Sequence, residues 1–200
     1  MSIPYELTGR TRQKARTRAA LLGAARELLA EGATPTVEQA ADRAGISRTT
    51  AYRYFANQRA LVAGTYPEID FTSLLGPTPS PDPVARLEEA VERFTRQVLA
   101  HEPELRAQLR LSLEPGPHGP DELPLRQGRA IAWLEDALEP LRERIGSREL
   151  RRLVLAIRAA IGIEALVWLI DVAGQSREEA VAIVRATARA LLDAALAGTD

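Results

Sequence analysis

Cysteine is absent from this chain of 200 residues. Its absence excludes a disulfide framework, thiolate zinc sites and cysteine nucleophiles together. Histidine is scarce: His101 and His118 stand far apart and lack the i, i+4 spacing of a helical zinc motif. Alternating apolar and polar runs rich in Val, Ile and Tyr are missing, so almost no strand is expected. No nucleophile–base pair, Gly-rich phosphate loop or cluster of acids is visible. Catalytic residues, a metal and a cofactor are therefore not expected, and the chain is not read as an enzyme. The opening stretch MSIPYELTGRTRQKARTR has no apolar core of a secretory signal, which points to a cytoplasmic protein.

What is present is enough for a buried core: hydrophobic residues make up 46% and charged residues 26%. The net charge of −1 conceals a strong asymmetry. Residues 1–66 hold ten Lys/Arg against five Asp/Glu, whereas residues 67–200 hold sixteen Arg against twenty-two Asp/Glu. A basic head on an acidic body suits a protein whose head alone meets a polyanion. The competing reading is a chance asymmetry of solvated charges.

Ala, Leu, Arg and Glu dominate, and the chain reads as all-α. The spacing of Leu21, Ala24, Ala25, Leu28 and Leu29 predicts a first helix from about Thr11 to Glu31, stopped by Gly32. A second helix fits Val37 to Ala44, with Thr36 and Gln39 forming a capping box and Gly45 ending it. Ser47 caps a third, Arg48 to Phe55, and Asn57 caps a fourth that runs to about Tyr66. The division expected is a head at 1–66, a Pro- and Gly-containing linker at 67–83, and a helical body at 84–200. Body helices are expected near 84–101, 103–113, 125–145, 148–173 and 176–197, with a breaker segment at 114–124.

Helices two and three carry the clearest chemistry. Two short helices joined at Gly45–Ile46 describe a helix-turn-helix, with Ala41 as the small buried residue and Ile46 as the apolar anchor. Ala51 and Phe55 lie four apart and face inward. The opposite face carries Thr49, Thr50, Tyr52 and Arg53, and Arg48 projects from the first turn. Hydroxyls, a phenol and guanidiniums facing outward suit the major groove.

The segment TVEQAADRAGISRTTAYRYFANQRALV (36–62) resembles the DNA-binding signature of tetracycline-repressor (TetR) family regulators. The resemblance is specific over about 11–66 and architectural over the body, where 163–180 resembles the final helix pair of many members. It implies base or groove contacts from Arg48, Thr49, Thr50 and Tyr52, and phosphate contacts from Thr36, Arg53, Tyr54 and the start of the fourth helix. Gln58 stands where the family usually has a Lys on phosphate; it keeps a donor and lacks the charge. Duller readings stand beside these: Thr36 as a cap alone, Tyr52 packed on the first helix, and Arg10, Arg12, Lys14, Arg16 and Arg18 as a solvated face rather than a phosphate-grazing arm.

From Leu153 to Ile170 only Arg158 and Glu164 are charged, and apolar residues lie on every side. The charges and Gly162 argue against a membrane span, so this helix is expected to be buried by its own domain and by a partner. With the stripe Val181, Val184, Ala188, Leu191, Leu192 and Ala195 it forms an expected two-fold, four-helix interface. Phe94, Arg110, Trp133, Glu164 and Trp168 are candidate effector-binding residues, with ordinary core packing the plainer reading of the aromatics. The resemblance implies an all-α homodimeric regulator, with an N-terminal helix-turn-helix domain and a C-terminal helical domain for ligand binding and dimerisation. It would be a repressor released from double-stranded palindromic DNA by a small-molecule effector. The alternative is a helical small-molecule-binding protein or enzyme whose head no longer engages DNA.

Overall fold

A computed structural model describes residues 5–67, 72–114 and 128–198, with side chains from Thr11 onward. The breaker segment from residue 115, the linker residues 68–71 and the expected helix start at 125–127 lie outside the described residues. Among the described residues there are helices and no strand. The chain divides into two compact units: Met1–Glu68 with Pro103–Arg126, and Ile69–Glu102 with Gln127–Asp200.

The first unit is built on α1 (Tyr5–Ala30), α2 (Val37–Ala44), α3 (Arg48–Tyr52) and α4 (Gln58–Thr65). Leu21, Leu22 and Ala25 of α1 pack against Val37, Ala40 and Ala41 of α2, with Ala51, Phe55 and Leu61 completing the core. Leu28, expected in that stripe, is only half-buried. Two side-chain ties reinforce this packing. Arg43 makes a bidentate pair with Glu31 at 2.8 and 3.0 Å, and Arg26 donates to the Thr65 carbonyl at 2.8 Å. Most of α6 (Glu102–Leu113) belongs to this unit as well: Ala107 and Leu111 pack with Leu29 and Val62. Chain order alone places that helix with the body, so contact grouping departs from the linear division.

The second unit holds α5 (Pro83–Ala100), α7 (Arg129–Ala137), α8 (Arg142–Ile161), α9 (Ile163–Val167) and α10 (Arg177–Ala197). From residue 72 the expected linker is docked here. Leu74 and Leu75 are buried, and the Gly76 amide donates to Glu89 at 2.8 Å. Arg86 donates to the Asp136 and Ala137 carbonyls at 2.7 Å each, satisfying the acceptor-rich end of α7.

Two expected helices are divided. Pro140 supplies no N–H, and a 3-10 turn at Glu139–Leu141 separates α7 from α8 where one helix over 125–145 was expected. Gly146 kinks α8 with φ 79 and ψ 156. The apolar stretch expected as one helix over 148–173 breaks at Gly162, whose ψ is −179, and ends in a π turn at Trp168–Val172. A Cβ at Gly162 would lie 2.2 Å from both Arg158 Nη1 and Glu164 Oε2, so the bare backbone gives this ion pair its seat. The run Glu139–Val172 is long and apolar enough to cross a membrane, yet Gly146 and Gly162 interrupt it.

Candidate nucleic-acid interface

The turn between α2 and α3 follows from its sequence. Thr36 Oγ1 accepts from the Gln39 amide at 3.2 Å while Gln39 accepts from the Thr36 amide at 2.8 Å, so both members of the capping box are made. At the far end of α2, the Ile46 amide reaches the Ala41 carbonyl at 2.9 Å and the Gly45 amide reaches Asp42 at 3.3 Å. This Schellman closure needs a left-handed residue, and Gly45 has φ 66. Ser47 then caps α3 by accepting from the Thr50 amide at 3.3 Å, and its hydroxyl lies 2.9 Å from Thr50 Oγ1. Asn57 caps α4 through Ala60 at 2.8 Å.

Burial sorts the residues of α3 by face. Ala51 and Phe55 are buried, whereas Arg48, Thr49, Tyr52 and Arg53 are exposed. Tyr52 is 44% exposed and, unlike Tyr54, stands outside the head core. Thr50 is half-buried beside its cap. Tyr54 is half-buried and its ring packs against the head core, so its body is structural. The helix that was expected to reach Phe55 ends at Tyr52, with the Arg53 and Tyr54 amides closing the last turn.

Gln58 is placed differently from the expectation. Its Nε2 donates to the Thr34 and Pro35 carbonyls at 3.1 and 3.2 Å. Both side-chain amide hydrogens are thereby used to brace the approach to α2, and no side-chain donor is left for phosphate. Of the basic run, Arg12, Lys14, Arg16 and Arg18 are exposed on α1, which is helical through this whole stretch; the Arg10 side chain lies outside those described. Arg18 lies over the Phe55 ring at 5.6 Å.

Two acidic residues of α2, missed in the sequence reading, also reach this face. Tyr52 donates its hydroxyl proton to Glu38, and Arg48 pairs with Asp42 at 3.4 Å. The phenol holds the Glu38 carboxyl below its ordinary value, and the carboxylate in turn raises the phenol. A signal was available in the i, i+4 spacing of Glu38 and Asp42 opposite Arg48 and Tyr52, but only the fold brings the pairs together.

The face therefore presents guanidiniums and hydroxyls on a short helix braced by an inward aromatic. Residues 21–65 match the family model of the bacterial regulatory proteins, tetR family. The match covers the DNA-binding head and not the rest of the chain. Proteins of that family are DNA-binding transcriptional regulators, generally not enzymes, and the helix-turn-helix of α2 and α3 is the family's DNA-binding element. No curated protein matches the sequence.

The candidate effector residues of the second unit are only partly brought together. Phe94 is buried, the Arg158 guanidinium lies 5.7 Å from its ring centre, and Arg158 pairs with Glu164 at 3.5 Å. Trp133 is buried in α7. Trp168 is 58% exposed on the π turn, and Arg110 is exposed on α6 in the other unit. The cluster at Phe94 thus includes Arg158, which sequence reasoning had noted only as a charge.

Proposed function

We propose that the protein is a homodimeric transcriptional repressor that binds a palindromic operator through α3 and leaves it when a small molecule occupies the second unit. The observation carrying the DNA reading is the outward set Arg48, Thr49, Tyr52 and Arg53 on a helix anchored by buried Ala51 and Phe55. Base contacts fall to Arg48, Thr49, Thr50 and Tyr52, and phosphate contacts to Arg53, Tyr54 and Thr36 at the cap of α2.

An open, mostly apolar groove between α8 and α10 supports dimerisation. Ile145, Leu153, Leu155, Ala156, Leu191 and Ala195 line it. The expected stripe on α10 divides in two: Val184, Ala188 and Leu192 are spent in the unit's own core, while Leu191 and Ala195 line the groove. A two-fold pairing of this surface would present two heads to two half-sites. The meeting of an aromatic face and an ion pair supports an effector site at Phe94, Arg158 and Glu164. A cytoplasmic location follows from this role.

Selection from a random duplex pool tests the reading. Recovery of an inverted repeat, bound by two protein chains, is the expected result. Uniform recovery with no enriched sequence would remove the DNA-binding role.

A further inference from the structure

The pairing of α2 with α3 assigns a hydrogen-bond polarity to the reading face. Glu38 and Asp42 lie one turn apart on α2, and Arg48 and Tyr52 lie one turn apart on α3. The two helices are joined by two rungs in crossed order, Glu38 with Tyr52 and Asp42 with Arg48. A phenol has a single proton. At neutral pH the carboxylate of Glu38 carries none, so the proton between them belongs to Tyr52 and points at Glu38. Only lone pairs remain on the phenol oxygen. Phosphate oxygens also offer only lone pairs, so Tyr52 held in this way has no hydrogen bond to give the DNA backbone.

The major groove does contain partners for an acceptor. Adenine presents N6–H and cytosine N4–H, whereas guanine and thymine offer carbonyl acceptors at the corresponding edge. We propose that Glu38 is a specificity-determining positioning residue: by taking the phenol proton it makes Tyr52 an acceptor that selects adenine or cytosine over guanine or thymine. This rests on the DNA-binding reading above. The charge balance is consistent with a role in selectivity. A carboxylate on a surface that approaches DNA opposes non-specific attraction, and half-buried Glu38 is one of five acidic residues set against ten basic ones in residues 1–66.

The test uses the full chain and the duplex that the wild-type protein recovers from the random pool, together with its single-base variants and a scrambled control. Wild-type protein should show one position per half-site where adenine or cytosine is preferred roughly tenfold over guanine or thymine. Tyr52→Phe should erase that preference at that position and leave the others intact. Glu38→Ala should erase it at the same position, and the double variant should lose nothing further. Glu38→Ala alone should also tighten binding to the scrambled duplex, which Tyr52→Phe should not. The proposal is overturned if Glu38→Ala keeps the preference, if it weakens every position equally, or if the Tyr52-dependent position favours guanine or thymine. Because Tyr52→Phe removes one exposed oxygen, an unchanged base profile in that folded variant also overturns it. Failure of the wild-type protein to enrich any sequence would sink the DNA reading itself, a distinguishable result.

Discussion

Both units open helices with side-chain caps, Asp82 and Ser176 serving α5 and α10, but they differ at one helix end. In the first unit each short helix is closed by a local polar device: Thr36 with Gln39, Ser47 with Thr50, Asn57 with Ala60, and Gly45 in the left-handed region. In the second, α8 ends at Gly162, where the Arg158–Glu164 pair occupies the space a Cβ would need. Local closure sets the angle between α2 and α3 independently of distant contacts, which suits a reading head. Closure beside the part-buried Arg158–Glu164 pair ties helix geometry to what surrounds Arg158, which suits the proposed response to a ligand.

The largest effects should come from truncating each core. Leu61 and Ile157 are both fully buried, one in each unit, and replacing either with Ala should cost about 2–5 kcal/mol. Amide exchange separates the two. Leu61→Ala should speed exchange in α1–α4, and Ile157→Ala should speed it in α8 and α10. Acceleration across the whole chain in both variants would mean that the units unfold as one.

Next in size is Leu191→Glu. Leu191 lines the groove on α8 and α10 without belonging to the core, so the monomer can keep its fold. A carboxylate in a desolvated dimer seam costs several kcal/mol by the usual burial penalty. Sedimentation should show single chains with weakened operator binding; a stable dimer would place the interface elsewhere. Arg48→Ala probes the first unit on a smaller scale. Loss of a base contact costs on the order of 1–3 kcal/mol, so anisotropy at fixed salt should show about a tenfold or greater weakening with dimerisation intact.

The same contrast explains what could be read without coordinates. Helix α2 matches its expected span, Val37–Ala44, because both of its ends are set by residues within reach along the chain. The start of α1 at Tyr5 and the end of α3 at Tyr52 shifted by several residues, since neither has so definite a local stop. In the second unit the unbroken apolar pattern concealed the Gly162 break. The partners responsible, Arg158 and Glu164, read as two interruptions rather than as a pair. Gln58 was misplaced for a related reason: its acceptors, Thr34 and Pro35, lie over twenty residues away. Patterning shows which face is apolar, while long-range polar contacts are made only by the fold.

The smallest effect concerns the basic residues of α1, where the helix separates what the sequence groups as one run. Successive residues turn by about 100°, so Lys14 and Arg18 share one stripe while Arg12 and Arg16 share another on the far side. Arg18 lies over the Phe55 ring and beside Gly64 of α4, so its stripe faces the rest of the head. A helix beside a duplex presents only one of two opposed stripes to phosphate. Lys14→Ala should therefore flatten the slope of log K against log salt by up to ~0.9, the share of one phosphate contact. Specific and scrambled duplexes should weaken alike, because a phosphate contact carries no base information. Arg16→Ala removes the same charge from the other stripe and should leave the slope unchanged. Equal flattening in the two variants would show that the charges of α1 act as a diffuse field rather than through a contact, and that the helix does not lie along the backbone.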